Sequence, residues 1–77
     1  MTVEQAKQRL LALIEQHEGY VAVALIEADK QLAANREVAS AAARELATEP
    51  EITAGEETDK PLHWFPYSFL MREEAAG

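Results

Sequence analysis

Residues 62–71 read Leu62-His63-Trp64-Phe65-Pro66-Tyr67-Ser68-Phe69-Leu70-Met71 and contain four of the five aromatic residues of a 77-residue chain. Much of the chain's apolar content, 48% in all, is alanine, which buries little area per residue. The helices predicted below therefore need bulky packing partners from this stretch. Pro66 lacks a backbone donor and restricts the stretch to an edge strand or an irregular segment.

The aromatic stretch has two interpretations. In an extended conformation its side chains would alternate between two faces. One face would carry Leu62, Trp64 and Leu70, and the other Phe65, Tyr67 and Phe69. The favoured interpretation is that the stretch completes the core. In the other, one side packs on the helices and the opposite side contacts another protein or a second copy of the chain. The candidate partner-binding residues are Trp64, Phe65, Tyr67 and Phe69.

The start of the chain has the pattern of an amphipathic helix. Thr2 and Gln5 have the spacing of a capping box, in which the hydroxyl accepts from an amide three residues on and the Gln reaches back. A single helical face then consists of Val3, Ala6, Leu10, Leu13, Ile14 and His17. Gly19 suits the left-handed residue that follows a helix. These signals predict a helix over residues 3–17.

The middle of the chain is ambiguous between helix and strand. Residues 20–26 could form a buried strand that turns at residues 29–30, but that turn lacks the glycine or asparagine of a tight hairpin. Alanine is frequent here and favours helix. The apolar residues at Val21, Leu25, Ala28 and Leu32 also have helical spacing. For residues 21–34 helix is therefore the preferred interpretation.

A further helix is predicted after Asn35, which is suited to the N-cap position. Its apolar face would contain Val38, Ala39, Ala42, Ala43 and Leu46, and Pro50 would terminate it. A single long helix over residues 21–49 is the alternative. Beyond it come a short strand at residues 51–53, a polar and mostly acidic loop at residues 54–61, and a frayed end at residues 72–77.

The order of these elements resembles that of winged helix-turn-helix domains, with residues 21–31 as the second helix and residues 36–48 as the third. Residues 52–53 and 62–65 would flank a wing tipped by Gly55. The predicted fold is thus mainly α with a small β-hairpin, three helices followed by a two-stranded wing-like hairpin in one domain of residues 1–77. A helical hairpin with an extended C-terminal segment is the alternative.

The resemblance implies a DNA-binding third helix. On it, Arg36, Ser40 and Arg44 form a row that could read a groove, but Glu37 and Glu45 on the neighbouring row balance the two arginines. The predicted wing is acidic, whereas a wing that contacts phosphates should be basic. Its charged residues are Glu51, Glu56, Glu57, Asp59 and Lys60. The charges therefore argue against nucleic acid as the partner.

Composition narrows the class of protein further. The formal net charge is −7, and there are no cysteines, which favours a reducing compartment. Residues 1–5 lack the basic region and apolar stretch of a signal peptide, and the apolar run at residues 20–26 is too short to span a bilayer. A cytoplasmic location without membrane association is the expectation.

The residues that usually carry chemistry are sparse. With His17 and His63 as the only histidines and no cysteine, no metal site is predicted. Neither serine lies in a nucleophile motif, and the glycines are too scattered for a phosphate loop. No cofactor and no enzymatic activity are expected. The predicted function is that of a small acidic protein-interaction module, such as an adaptor, inhibitor or dimeric accessory protein, with a DNA-binding transcription regulator as the alternative.

Overall fold

The structure is a computed structural model that describes residues 1–59 and 61–73. The helices of these residues are α1 (Val3–Gln16), α2 (Val23–Ala28), α3 (Lys30–Ala33) and α4 (Arg36–Leu46). The strands are β1 (Tyr20–Ala22), β2 (Ile52–Ala54) and β3 (Phe69–Arg72). The predicted class, mainly α with a small β part, is confirmed. Lys60 of the predicted loop and residues 74–77 of the predicted frayed end lie outside the described residues.

Helix α1 begins as predicted and ends with a small difference. The capping box is present, since the Thr2 hydroxyl accepts from the Gln5 amide and the Gln5 side chain accepts from the Thr2 amide. At the other end, the amides of Glu18 and Gly19 donate to the carbonyls of Glu15 and Ile14, the two bonds of a Schellman motif. The first left-handed residue is Glu18, with φ of 60°, and Gly19 follows with φ of 96°. Gly19 was predicted to be the first residue after the C-cap, but Glu18 has that position, because α1 ends at Gln16 and not at residue 17.

The helix predicted from residue 21 is wrong at its start, because residues 20–22 form strand β1. Its residues pair with the last strand in the register Tyr20↔Met71, Val21↔Leu70 and Ala22↔Phe69. This long-range pairing buries Val21 completely and outweighs the helix preference of the alanines. Helix α2 follows directly, so the middle of the chain is both strand and helix.

A turn at Asp29 separates α2 from α3 and excludes one long helix over residues 21–49. The Asp29 carboxylate accepts from the Leu32 amide at 3.0 Å and so caps α3. Its other oxygen accepts from Nε and Nη2 of Arg9 in α1, at 2.8 and 2.5 Å. Asn35 occupies the N-cap position of α4 as predicted, although its side-chain amide donates to the Gln31 carbonyl at 2.9 Å.

The sheet has three antiparallel strands in the order β1-β3-β2, one more than predicted. The predicted strand at residues 52–53 is confirmed as β2, but its partner is β3 and not residues 62–65. Gly55 lies within the hairpin and not at its tip, because its amide donates to the Phe69 carbonyl at 2.9 Å. Arg72, predicted to be frayed, is the last residue of β3.

The core lies between α1, α4 and the inner face of the sheet. Helix α4 contributes mostly alanine, so its close packing needs large residues from elsewhere. Phe65 is the largest of the fully buried side chains. The other large ones are Leu10, Ile14, Ile26, Leu32, Leu46, Leu70 and Val21. Within the described part of the chain, no helix has both the length and the apolar character needed to cross a bilayer.

Candidate interaction surface

The first part of the aromatic stretch is pinned to the helices. We call residues 63–67 the aromatic strap. The Glu27 carboxylate in α2 accepts from the amides of Trp64 and Phe65, at 2.9 and 3.2 Å, and lies 2.8 Å from Nδ1 of His63. On the far side, the Thr58 hydroxyl donates to the Phe65 carbonyl. These bonds satisfy the backbone of an irregular segment that Pro66 keeps out of the sheet.

Glu27 can hold the backbone of the strap because its carboxylate is charged. Its side chain is 17% exposed. Burial alone raises the pKa of Glu27, but the hydrogen bond with His63 and those from the Phe65 and Trp64 amides lower it further than burial raises it. The net pKa of Glu27 lies below its usual value of 4.5, so the carboxylate is ionised at neutral pH.

The strap accounts for three of the four predicted partner-binding residues. Phe65 is fully buried, so the expectation that it contacts a partner is wrong, and its ring belongs to the core. Trp64 and Tyr67 are partly buried and pack against that core. Their rings meet Phe65 edge-on, with centroids 5.9 and 6.3 Å away. The alternation predicted for an extended stretch is therefore wrong in the strap.

The strap also contacts the row of α4 predicted to read DNA. The guanidinium carbon of Arg36 lies 5.9 Å from the centroid of the Trp64 ring, and the Ser40 hydroxyl donates to the Trp64 carbonyl at 3.4 Å. Arg44 is exposed further along the helix. Two of the three residues in the row therefore contact the strap.

The second part of the aromatic stretch faces outward. Because side chains alternate along a strand, the paired residues of the three strands put one set on the outer face of the sheet. We call this set the sheet patch, and its members are Tyr20, Ala22, Thr53, Phe69 and Met71. All five are uncharged. Of the predicted partner-binding residues, Phe69 alone lies in this patch.

Two aromatic rings form the centre of the sheet patch. Tyr20 is 48% exposed and stacks on Phe69, with ring centroids 5.1 Å apart and planes inclined by 28°. The Phe69 ring packs against Gly55, the residue that follows β2. A Cβ atom at Gly55 would come within 2.5 Å of Cδ1 of Phe69 and would collide with the Ser68 hydroxyl.

Carboxylates lie at both ends of this patch. At one end Glu73 and Glu51 are adjacent, since the Glu73 amide donates to the Glu51 carbonyl at 2.8 Å, and both are exposed. Exposed Glu18 precedes β1 and lies near the same end, because Tyr20 pairs with Met71. Exposed Glu56 lies at the other end, where its carbonyl accepts from the Ser68 amide. The surface thus has an uncharged aromatic centre with acidic surroundings.

Sequence reasoning missed Tyr20 and Met71 as members of this surface. Tyr20 lay directly before the helix predicted from residue 21, and that prediction did not place it beside Phe69. The signal that could have found them is the strand interpretation of residues 20–26. In that interpretation Tyr20 and Ala22 face one way and Val21 the other.

The described residues contain no group of three or more His, Asp or Glu side chains placed to hold a metal ion. Comparison with protein-family models, curated proteins and solved structures found no match. The function is therefore inferred from the geometry and charge of the protein's surfaces.

Proposed function

We propose that this chain is a protein-interaction module that binds its partner through the sheet patch. The observation that carries the proposal is the stack of exposed Tyr20 on half-buried Phe69, on an uncharged sheet face. Exposed aromatic pairs supply large contact area at low entropy cost and are enriched at the centres of interfaces. The proposed surface replaces the one expected from sequence, because Phe65 is buried and Trp64 and Tyr67 pack on the core.

The partner must contact more than the patch. Its strands are only three or four residues long, so the patch is small beside the roughly 800 Å² that each partner contributes to a standard interface. The partner would therefore extend over the surroundings, where Glu18, Glu51, Glu56 and Glu73 lie. Charge complementarity favours a partner with an apolar centre and a basic rim.

A second copy of the chain fits this surface less well. A two-fold symmetric contact uses the same surface patch of both copies. The acidic surroundings of the two patches would then come together, in a molecule that already has a net charge of −7. A heteromeric partner is therefore the proposal, and self-association is an outcome that the experiment must be able to detect.

The test compares the proteins that the wild type and a variant without the aromatic rings of the patch capture from a lysate of the native host. The double variant Tyr20→Thr, Phe69→Thr removes both rings and keeps residues that suit strands. Leu62→Ser is the matched control, since Leu62 is 77% exposed and lies outside the patch. We expect the wild type and the control to retain a common protein that the double variant loses. That protein, once purified, should bind more weakly to Glu51→Lys and as salt increases.

Two results would overturn the proposal. One is a partner retained equally by the double variant and the wild type, with affinities equal in a purified titration. The other is a dimer of wild type in sedimentation that the double variant abolishes, since self-association would then occupy the patch. Circular dichroism of each variant confirms that the helices remain folded.

The alternative function, DNA binding by a winged-helix-like regulator, is supported by the order of elements and by exposed Arg44 on α4. Against it are the acidic hairpin and the contacts of Arg36 and Ser40 with Trp64. A polarisation titration with mixed-sequence duplex at low salt decides the matter, because non-specific affinity should be visible at micromolar protein. Absence of binding there would exclude the alternative.

A further inference from the structure

An open groove of about 760 Å³ lies between α1 and α3, and Met1 and Ala34 supply the apolar part of its lining. Its polar lining comes from α1 and from α3 with the turn that follows it. These residues are Gln5, Gln8, Arg9, Lys30, Gln31 and Asn35. The groove shares none of its lining with the sheet patch or the aromatic strap.

The charge of the groove is opposite to that of the protein as a whole. Its lining contains Arg9 and Lys30, and none of the described carboxylates belongs to it. Asp29, which binds Arg9 and balances its charge, has a side chain only 5% exposed, so it orients the guanidinium without covering the groove. Lys30 therefore carries the uncompensated positive charge of the groove lining. Because both bonds to Asp29 use Nε and Nη2, the Nη1 donors of Arg9 remain for a ligand.

The remaining polar groups are side-chain amides, which supply both donors and acceptors. The Oε1 atom of Gln5 accepts from the Thr2 amide, which leaves its NH₂ group available. Asn35 uses Nδ2 to bind the Gln31 carbonyl, which leaves Oδ1 as an acceptor. Such paired donors and acceptors match the N–H and C=O groups of a peptide backbone.

From these observations we infer that the groove binds an acidic peptide segment, with Lys30 and Arg9 pairing its carboxylates and the amides pairing its backbone. The groove lining contains no aromatic ring on which a nucleobase could stack, and its two cations come from different helices, which suits charges spaced along a chain. This binding goes beyond the proposed function, because it involves a second surface and a partner of opposite charge.

The experiment uses the full chain labelled with ¹⁵N and follows its side-chain amide resonances by NMR. The probe is a ten-residue peptide of alternating glutamate and serine, at about 0.1 M salt, which screens carboxylates outside the groove. We expect the resonances of Gln8, Gln31 and Asn35 to shift and saturate. Gln16, at the end of α1 and outside the groove lining, is the internal control.

Variants and changes of probe distinguish specific binding of an acidic peptide from non-specific binding and from binding of phosphate. Lys30→Gln should weaken peptide binding about fivefold, whereas Arg44→Gln, the same change of charge on α4, should alter it less than about twofold. Tyr20→Thr, Phe69→Thr should bind the peptide normally, so failure of this inference is distinguishable from failure of the proposed function. Equal shifts with a glutamine-serine peptide, equal movement of Gln16, or saturation by inorganic phosphate at the same concentration would each overturn it.

Discussion

The aromatic strap and the sheet patch come from one stretch of sequence and have opposite environments. In the strap, Phe65 is fully buried and the backbone is held by Glu27. In the patch, two residues beyond Tyr67, Phe69 stacks on exposed Tyr20. The difference teaches that aromatic content alone does not distinguish core from surface. What distinguishes them is tertiary contact, because Glu27 holds the strap against the helices, whereas the pairing of β3 with β1 and β2 places Phe69 on the outer face of the sheet.

The largest expected difference between the two regions comes from a matched pair of truncations. Phe65→Ala should lower the free energy of unfolding by about 3–5 kcal/mol, because it leaves a cavity in the core. Phe69→Ala should cost only about 1–2 kcal/mol, since its ring is partly exposed. Urea denaturation followed by circular dichroism measures both.

A domain of this size is marginally stable, so Phe65→Ala could prevent folding altogether. Phe65→Leu is then the informative variant, with an expected loss of about 1–2 kcal/mol. Equal losses for truncation at residues 65 and 69 would show that the strap and the patch do not differ as described.

The next largest effect should come from the carboxylate that holds the strap. Glu27→Gln removes the charge and leaves one oxygen for the Trp64 and Phe65 amides, so the free energy of unfolding should fall by about 1–3 kcal/mol. Glu37→Gln, at an exposed position of α4, is the control and should change it by less than about 0.5 kcal/mol. Similar losses in the two variants would contradict the role of Glu27.

The pH dependence of stability should report the same carboxylate. The pKa of Glu27 lies below its usual 4.5, and that of Asp29 below its usual 3.8, where burial raises the pKa but bonds from Arg9 and the Leu32 amide lower it more. A lowered folded-state pKa contributes stability above the unfolded value, and this is lost as pH falls through the folded value. The urea midpoint should therefore fall as pH drops below about 4.5, with a shallower slope in Glu27→Gln. A parallel slope would contradict the assignment.

A smaller effect should sharpen the description of the patch. Gly55→Ala should destabilise the protein by about 1–2 kcal/mol, because the new methyl group collides with the Phe69 ring and the Ser68 hydroxyl. In a Phe69→Ala background the cost should shrink, as a double-mutant cycle would measure. An unchanged cost would mean that the ring does not lie on Gly55.

The smallest effect should be a gain. Glu18 adopts a φ of 60°, which costs a residue with a Cβ atom about 1 kcal/mol relative to glycine. Glu18→Gly should therefore raise the melting temperature by a few degrees without moving Tyr20 in the patch. Gly19→Ala should lower it, since φ of 96° at that position disfavours any side chain. A decrease for Glu18→Gly would contradict the account of this turn.

Local patterns were the most predictable part of the fold. The Thr2 capping box and the periodic face of α1 involve residues three or four apart, so a short window of sequence contains the whole interaction. The start of α4 at Asn35 was also predicted, although the Asn35 side chain makes no capping hydrogen bond. The position of β2 was predicted, but its pairing with β3 was not, because that pairing is non-local. The start of the middle segment was not, because its outcome depends on β3, about 50 residues away.

The candidate surface shows the same division. Sequence by itself determined that the chain is acidic, that its helices are alanine-rich and that its aromatic residues are concentrated near the C-terminal end. Tertiary structure alone decided which aromatic rings are buried. Glu27 binds the strap across 36 to 38 residues, and β3 inserts between β1 and β2, which brings Tyr20 to Phe69. These contacts are non-local, and their free energy depends on packing and burial that no local pattern of residues contains.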